Sequence, residues 1–401
     1  MNQPEHAWIT GIGLVSSQGE GAHEHWRKLS AEGPARPIVD PQRFAPYAVH
    51  PLAPLDFSKQ IPRTTDQRQM ERWQRIGVYA AGLALADAKL SGNLKLLDRT
   101  DLCVAAGNGE RDLRLDAHIL ATSASPGAAL NQELTTGLRP SLYLGQLSNL
   151  LAANISIVHK ATGSSRTFKG EEMAGVSAIE NAVERIEEGE SELVLVGGAL
   201  NAEREDLLLG CELADGLYAG PFRSVWERHD SGGGSVLGSI GAFLLVEAAS
   251  HARARNVRPY ARVGAIRSER SRRGAGQAAA TMARLFASLG LDTLENKLPV
   301  LSGASGVEPA TTEEQVFIGG LTKDGFGPVV RAWGSVLGHC LEAHFLVGVA
   351  LAAMSISAGV FYPPFDGSGY ELPEKAHSDR ILVTAFSHWR GEGLGLVVPA
   401  Q

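Results

Sequence analysis

The most constraining feature of this sequence is a strand, a helix and a second strand in immediate succession. The first strand is expected at SRTF, residues 165–168, because threonine and phenylalanine favour extended backbone. After Glu172, apolar side chains recur every three or four residues, which predicts a helix with one buried face. They are Val176, Ile179, Val183 and Ile186. The apolar run ELVLVGGAL then predicts a strand buried on both faces, and the whole unit predicts a parallel crossover.

A second series of α/β elements predicts a fold of two similar halves. It begins with the strand in SIGAFLLVEAA and continues with the basic helix and strand of SHARARNVRPYARVGAI. The strand LPVLS follows, then a long buried helix in WGSVLGHCLEAHFLVGVALAAMSI, then two strands around a glycine turn in RILVTAFSHWRGEGLGLVV. We therefore expect an α/β fold with an N-terminal half, residues 1–250, and a C-terminal half, residues 251–401.

The N-terminal half is expected to contain further elements of both kinds. HAWITGIGLVSS predicts a buried strand, and residues 34–62, with seven prolines, predict an irregular surface segment. Helical spacing runs from Met70 to Leu90. DLCVAAGNG predicts another buried strand, and residues 142–163 predict a helix that ends before Gly163.

Charge and cysteine content exclude several classes of protein. The net charge of −7 argues against nucleic-acid binding, which requires a basic face. Cys103, Cys211 and Cys340 have no paired spacing, which excludes a disulfide framework and a thiolate zinc site. The N-terminus has no signal-peptide pattern, so a cytoplasmic location is expected. The apolar residues 345–361 are only 17 in number and include two serines, which favours a core helix over a membrane span.

Several segments, in this order, resemble the β-ketoacyl-acyl-carrier-protein synthases of the thiolase fold. They are ITGIGLVSSQGEG, NISIVHKATGSSRTFKGEEMAG, ELVLVGGA, GPFRSVWERHDSGGGSVLGSIGAFLLVEAASHARARN, GHCLEAH and AFSHWRGEGLGLVV. The resemblance covers nearly the whole chain. It implies two pseudo-symmetric halves in a five-layered αβαβα architecture.

The resemblance also assigns candidate catalytic residues. In that family a nucleophilic cysteine lies three residues before a glycine; Gly175 is that glycine here, so Glu172 holds the position of the cysteine. One family histidine corresponds to Ser305, with Ala304 beside it if the alignment shifts by one residue. The second family histidine is retained as His339.

Two further family positions are altered or assigned to substrate binding. The family lysine five residues before the retained histidine corresponds to Gly334. The gating turn near the C-terminus, which normally contains a phenylalanine, reads FSHWRG, and Phe386 and His388 are its candidate substrate-binding residues.

The substitution at Glu172 changes what the site can do chemically. A thiolate at a helix N-terminus is stabilised by free N–H groups and the helix dipole, which makes it a nucleophile. A carboxylate is also favoured there, but it is a poor acceptor for a thioester acyl group. Taken alone, Glu172 fits an ordinary N-terminal helix carboxylate better, and His339 a hydrogen-bonded core histidine. The family position makes a role at the pocket floor an equal alternative for Glu172.

No metal or other cofactor is expected from the sequence. His339 and His344 are five residues apart, which is too far around a helix for two ligands of one metal. SGGGSVLG lacks the Lys-Ser/Thr pair of a phosphate-binding loop. Residues 251–273 contain eight arginines and one glutamate, which is either a solvated face or a docking patch for an acidic acyl carrier protein.

Three functions remain open at this level. The resemblance favours a chain-length-factor subunit that pairs with a cysteine-bearing ketosynthase and elongates acyl chains held on the phosphopantetheine of a carrier protein. A weaker similarity, through SRTFKGEE and GVEPAT, is to subunits of very-long-chain fatty acid assembly. The alternatives are a malonyl-carrier-protein decarboxylase, and a condensing enzyme or acyl-binding protein in which another residue compensates. No nucleic-acid or membrane partner is expected.

Overall fold

The protein is described by a computed structural model, which defines residues 5–122, 127–137, 140–270, 274–292, 297–377 and 379–400. Its strands are β1 (Ala7–Ser16), β2 (Gly19–Glu20), β3 (Asp40–Phe44), β4 (Tyr47–His50), β5 (Asp101–Ala105), β6 (Ser165–Phe168), β7 (Leu193–Leu200), β8 (Leu237–Gly238), β9 (Ile240–Ala248), β10 (Ala261–Glu269), β11 (Leu298–Ser302), β12 (Pro328–Ala332), β13 (Ile381–Phe386) and β14 (Glu392–Val398).

The helices are α1 (Ala22–Leu29), α2 (Thr64–Gln69), α3 (Arg72–Asp87), α4 (Leu94–Leu97), α5 (Leu113–Thr122), α6 (Ala128–Thr136), α7 (Pro140–Gly145), α8 (Leu150–His159), α9 (Glu172–Glu187), α10 (Glu205–Glu212), α11 (Ala249–Ala254), α12 (Gln277–Ala287), α13 (Ala310–Lys323), α14 (Gly334–Leu337) and α15 (His344–Ala358). Short 3₁₀ turns lie at Phe57–Lys59, Val225–Glu227, His229–Ser231 and Leu341–Ala343.

The main sheet repeats one strand arrangement in its two halves. In the N-terminal half the order is β6-β5-β7-β9-β1, and in the C-terminal half it is β12-β11-β13-β14-β10. In each half the first three strands are parallel and the last two are antiparallel to their neighbours. β1 and β10 pair antiparallel and join the halves. This repeat confirms the two-half α/β fold; the boundary after residue 250, which falls within α11, stays a prediction.

The helices form three layers that alternate with the two half-sheets. α9 and α15 pack on each other in the middle, with α9 against β5 and β7 and α15 against β13 and β14. α3 and α8 cover the outer face of the N-terminal half, and α12 and α13 cover that of the C-terminal half. The five-layered αβαβα architecture is therefore confirmed.

The opening prediction of strand, helix and strand is confirmed in detail. β6 and β7 are both parallel to β5, and α9 makes the crossover between them. Its predicted apolar face is buried at Val176, Ile179, Val183 and Ile186. Gly175 is required by close packing, because a Cβ atom there would lie 2.5 Å from the main-chain oxygen of Glu342.

Three predicted segments differ from the structure. Residues 142–163 are not one helix, because α7 ends where the main-chain oxygen of Gly145 accepts a bond from Trp73 Nε1. Residues 34–62 contain the hairpin β3-β4, and β4 also pairs with β8. The long helix predicted from Trp333 begins only at His344, because the main chain of His339 pairs with β8 instead.

The apolar segment Leu341–Ala358 meets the length and composition of a membrane span. However, 83% of it is buried inside the protein. α15 is therefore surrounded by protein, with no side chain from His344 to Ile356 left exposed. This environment agrees with the prediction of a core helix.

Candidate active site at the start of helix α9

Glu172 is the first residue of α9 and follows a strained turn. Gly170 has a φ of 130° and Glu171 a φ of 46°, a backbone region that non-glycine residues rarely adopt. Such backbone conformations cost about 1–3 kcal/mol and occur preferentially at functional sites. The turn leads from β6 directly into the helix, and only 2% of the Glu172 surface is exposed.

The Glu172 carboxylate lies between two imidazole rings. His339 Nε2 is 2.9 Å from Glu172 Oε1, and His388 Nδ1 is 3.2 Å from the same oxygen. The two rings stack with their centroids 4.7 Å apart. Because an ionised carboxylate only accepts hydrogen bonds, His339 Nε2 donates to Glu172, whereas His388 lies at ion-pair distance from it. His339 and His388 are 167 and 216 positions from Glu172 in the sequence, yet the three residues lie together. We call them the Glu172 cluster.

Ser305 extends the Glu172 cluster on the far side of His388. Its Oγ lies 2.8 Å from His388 Nε2 and accepts a hydrogen bond from the Val307 main-chain N–H. Ser305 therefore fixes the orientation of the His388 ring but lies one ring away from Glu172. The structure brings four of the five predicted site residues together in this way.

Phe386 is the predicted site residue that lies elsewhere. Its side chain packs against Phe317 of α13, with ring centroids 6.2 Å apart, in the core beneath the outer helices of the C-terminal half. It does not line the cavity described below. His388, two residues later in the same turn, faces the opposite way and reaches Glu172.

His344 packs against the His339 ring of the Glu172 cluster. Its ring contacts that of His339 in a tilted arrangement with centroids 4.2 Å apart, its Nδ1 accepts from Trp333 Nε1, and its Nε2 donates to the main-chain oxygen of Gly303. Burial lowers the pKa of His344 well below its ordinary value, with a further contribution from the charge of His339. His344 is therefore a neutral ring that holds His339 in place.

Glu172 is ionised despite its burial. Burial alone would raise the pKa of this carboxyl, but the charge of His388 and the hydrogen bond from His339 outweigh it and hold the pKa below the usual range. Glu342 shows the opposite balance. Burial and the nearby charges of Glu172 and Glu171 raise the pKa of Glu342 to about 7.

A cavity of about 870 Å³ lies beside the Glu172 cluster, and His388 is the residue of the cluster that lines it. Charged side chains from several elements line this cavity. These are Arg111, Glu171, Arg204, Asp206, Asp215, Glu308 and Glu342. Sequence analysis did not single out Glu171 or Glu342 as lining residues. The only sequence signal for Glu342 is its place three residues after His339, in the segment GHCLEAH.

The three cysteines are not activated as nucleophiles. Cys211 lines the cavity, but burial raises the pKa of its thiol to about 11. Cys340 is fully buried, 3.7 Å from His344 Nδ1, and burial raises its pKa further. Cys103 is buried near Asn181, where burial raises its pKa to about 12. Thiolate chemistry requires a lowered pKa, which none of these sites provides.

The two-half α/β fold, with a buried polar cluster at the start of its middle helix, defines a thiolase-like protein. Residues 5–252 match the family model described as "Beta-ketoacyl synthase, N-terminal domain". This match spans more than half of the chain. The protein therefore belongs to the β-ketoacyl synthase family.

Two relatives are similar over most of their length. The oxytetracycline polyketide putative beta-ketoacyl synthase 1 of Streptomyces rimosus is 26% identical, over 88% of this chain and 85% of its own. The tetracenomycin polyketide synthase ketoacyl synthase beta subunit of Streptomyces glaucescens is also 26% identical, over 96% of both chains.

Solved structures share the fold. A beta-ketoacyl synthase from Burkholderia phymatum superposes with a TM-score of 0.81 at 20% identity, over 99% of this chain and 100% of its own. The ishigamide ketosynthase/chain length factor gives 0.80 at 19% identity, with the same coverage. A type II polyketide ketosynthase, solved in complex with its acyl-carrier protein, gives 0.76 at 17% identity, again with the same coverage.

Proposed function

We propose that this chain is a chain-length-factor subunit that supports acyl elongation by a separate, cysteine-bearing β-ketoacyl synthase. The observation that carries the proposal is the Glu172 cluster. A carboxylate stands where the family holds its nucleophilic cysteine; His339 donates a hydrogen bond to it, and His388 lies at ion-pair distance. The acyl-accepting sulfur is then missing and the Nε2–H of His339 is engaged by Glu172, which disfavours condensation by this chain alone.

The same cluster disfavours a malonyl-carrier-protein decarboxylase. Decarboxylation produces an enolate, which is stabilised by hydrogen-bond donors and repelled by a nearby negative charge. Glu172 could donate to the enolate only in its protonated form. Its lowered pKa keeps it ionised at neutral pH, so this alternative ranks second.

An exposed sheet edge supports pairing with a partner subunit. β6 is the last strand of the N-terminal half-sheet and bonds to β5 on one side only among the described residues. Ser164 and Phe168 use their main-chain oxygens for bonds to β5. Ser165 and Thr167 alternate with them, so their main-chain groups face outward, where a second strand can pair.

Arginine side chains near the turn support docking of an acidic carrier protein. Arg270 and Arg390 both lower the pKa of Glu171 at the cavity wall, although burial and the charge of Glu172 raise it overall. Within the arginine-rich segment, Arg255 is instead paired with Glu247 inside the fold. Arg272 and Arg273 lie outside the described residues.

The proposal is tested by reconstitution with malonyl- and acyl-carrier protein. The purified chain is incubated alone and with candidate cysteine-bearing β-ketoacyl synthases of the same organism, and CO₂ release and acyl products are measured. We expect products only in a mixture, and their loss when the nucleophilic cysteine of the added synthase is replaced by alanine. That second arm shows which subunit performs the acyl transfer.

Two results would overturn the assignment. Release of CO₂ from malonyl-carrier protein by this chain alone, without elongated product, would establish the decarboxylase. Condensation by this chain alone would establish a complete synthase with a compensating residue. In the second case, alkylation of Cys211 with loss of activity would identify the residue.

A further inference from the structure

The geometry points to a three-ligand site for a divalent metal ion, formed by Glu172, His339 and His388. Spacing along the chain predicts no metal site, because His339 and His344 are too far apart around a helix to share an ion. The fold instead brings His388, from the turn between β13 and β14, within 3.2 Å of the same carboxylate oxygen that His339 contacts. This inference concerns the Glu172 cluster itself and does not depend on the proposed function.

The spacing of the donor atoms suits a transition metal. One ligand atom from each of Glu172, His339 and His388 lies within 4.8 Å of the other two, and Glu172 Oε1 is 2.9 Å from His339 Nε2 and 3.2 Å from His388 Nδ1. Bonds of about 2.0–2.2 Å to zinc place tetrahedral ligands roughly 3.3–3.5 Å apart. The two separations that involve Glu172 are therefore within a few tenths of an ångström of the spacing in a coordination site. Two imidazoles and one carboxylate form a ligand set found in zinc sites.

The Glu172 carboxylate has unused bonding capacity. Its second oxygen, Oε2, is buried and has no hydrogen-bond partner among the described residues. An unpaired oxygen of a buried carboxylate is costly, and a cation would satisfy it. This orphan atom is an observation independent of the ligand spacing.

The surroundings of the two histidines predict a moderate affinity. His388 can bind metal through Nδ1 while Nε2 donates to Ser305 Oγ at 2.8 Å, as ligating histidines usually do. His339 would carry its second proton on Nδ1, which is buried and has no partner among the described residues. An absent outer partner weakens metal binding by about 10–100-fold.

An ion has a route to this site and a free coordination position. His388 lines the cavity of about 870 Å³, whereas Glu172 and His339 lie behind it. Three protein ligands leave a fourth tetrahedral position for water or for an oxygen atom of a molecule in the cavity. Zn²⁺ is the ion that best fits two nitrogens and one oxygen.

The test is a titration of the full-length, chelator-treated protein with Co²⁺, whose visible absorption reports tetrahedral coordination, followed by displacement with Zn²⁺. We expect one Co²⁺ per chain, and a higher Tm in the presence of Zn²⁺. The variants Glu172→Gln and His388→Asn remove one ligand each and should weaken binding at least about tenfold. Their melting curves without metal show whether they are folded.

A matched control separates this site from surface binding. His229 lies 3.1 Å from Glu308 Oε1, at an exposed histidine–carboxylate pair outside the Glu172 cluster. His229→Gln should bind Co²⁺ as the wild type does. The inference is overturned if the wild type shows no stoichiometric Co²⁺ spectrum. It is equally overturned if folded Glu172→Gln and His388→Asn proteins bind with unchanged affinity, or if only His229→Gln loses binding.

Discussion

Replacement of Glu172 by alanine or by glutamine tests whether the Glu172 cluster is held together by its buried carboxylate. Alanine removes the acceptor of the His339 hydrogen bond and the ion-pair partner of His388, and it leaves the buried Nε2–H of His339 unpaired. Each buried, unsatisfied donor costs about 1–3 kcal/mol, and breaking a buried ion pair costs about 3–5 kcal/mol. We therefore expect Glu172→Ala to lower the free energy of unfolding by about 4 kcal/mol.

Glutamine keeps the shape of the side chain and one oxygen acceptor. It loses the negative charge, which removes the ion pair with His388 and weakens the hydrogen bond from His339, since bonds to charged groups are worth about 1.5–3 kcal/mol and neutral ones about 0.5–1.5 kcal/mol. Its amide nitrogen would occupy the place of the unpaired Oε2. The expected cost of Glu172→Gln is therefore about 2 kcal/mol, half that of the alanine variant.

Urea denaturation of the metal-free protein, followed by circular dichroism, measures both variants. The control is the same pair of substitutions at Glu187, an exposed residue at the other end of α9, where changes within about 0.5 kcal/mol are expected. Equal costs for alanine and glutamine at position 172, both under about 1 kcal/mol, would refute the view that this carboxylate holds the two rings.

Three further predictions concern a buried acid, a thiol and the sheet edge. Burial raises the pKa of Glu314 to about 7 despite bonds from Thr384 and Ser302, so its contribution to stability is lost as the pH rises from about 4.5 to 7. The free energy of unfolding of Glu314→Gln, taken relative to that of the wild type, should therefore rise by about 2–3 kcal/mol from pH 5 to pH 8, as measured by urea denaturation. Cys211, with its pKa raised to about 11, should react with iodoacetamide at pH 8 about two to three orders of magnitude more slowly than free cysteine, as followed by mass spectrometry. Thr167→Pro, which removes an outward N–H of β6, should abolish co-purification with the partner synthase, whereas Thr167→Val should preserve it.

Each of these three has an opposing outcome. A pH-independent difference between Glu314→Gln and the wild type would place the titration on another group. Alkylation of Cys211 at the rate of free cysteine would make it a candidate nucleophile after all. Loss of the partner in both Thr167 variants would assign the effect to the side chain and not to the strand edge.

Local patterns predicted the elements that bear on the site. The bounds of β6 and the buried face of α9 follow from β-propensity and helical spacing, which act over a few residues. Predictions failed where a distant segment competes for the main chain. The pattern predicts His339 within a helix, but its main-chain N–H donates to Val236 and its main-chain oxygen accepts from Gly238 of β8. No pattern within a short window records that competition.

The sequence by itself determined the two-half α/β fold and the presence of an acid at the start of the middle helix. Through a family resemblance that spans nearly the whole chain, it also predicted Ser305, His339 and His388 as site residues. Only the tertiary structure decided that His388 reaches Glu172 while Phe386 turns into the core, and that the pKa of Glu172 is lowered despite its burial. The physical reason is that hydrogen bonding and electrostatic balance depend on distances of about 3 Å between residues far apart in sequence, and packing alone sets those distances.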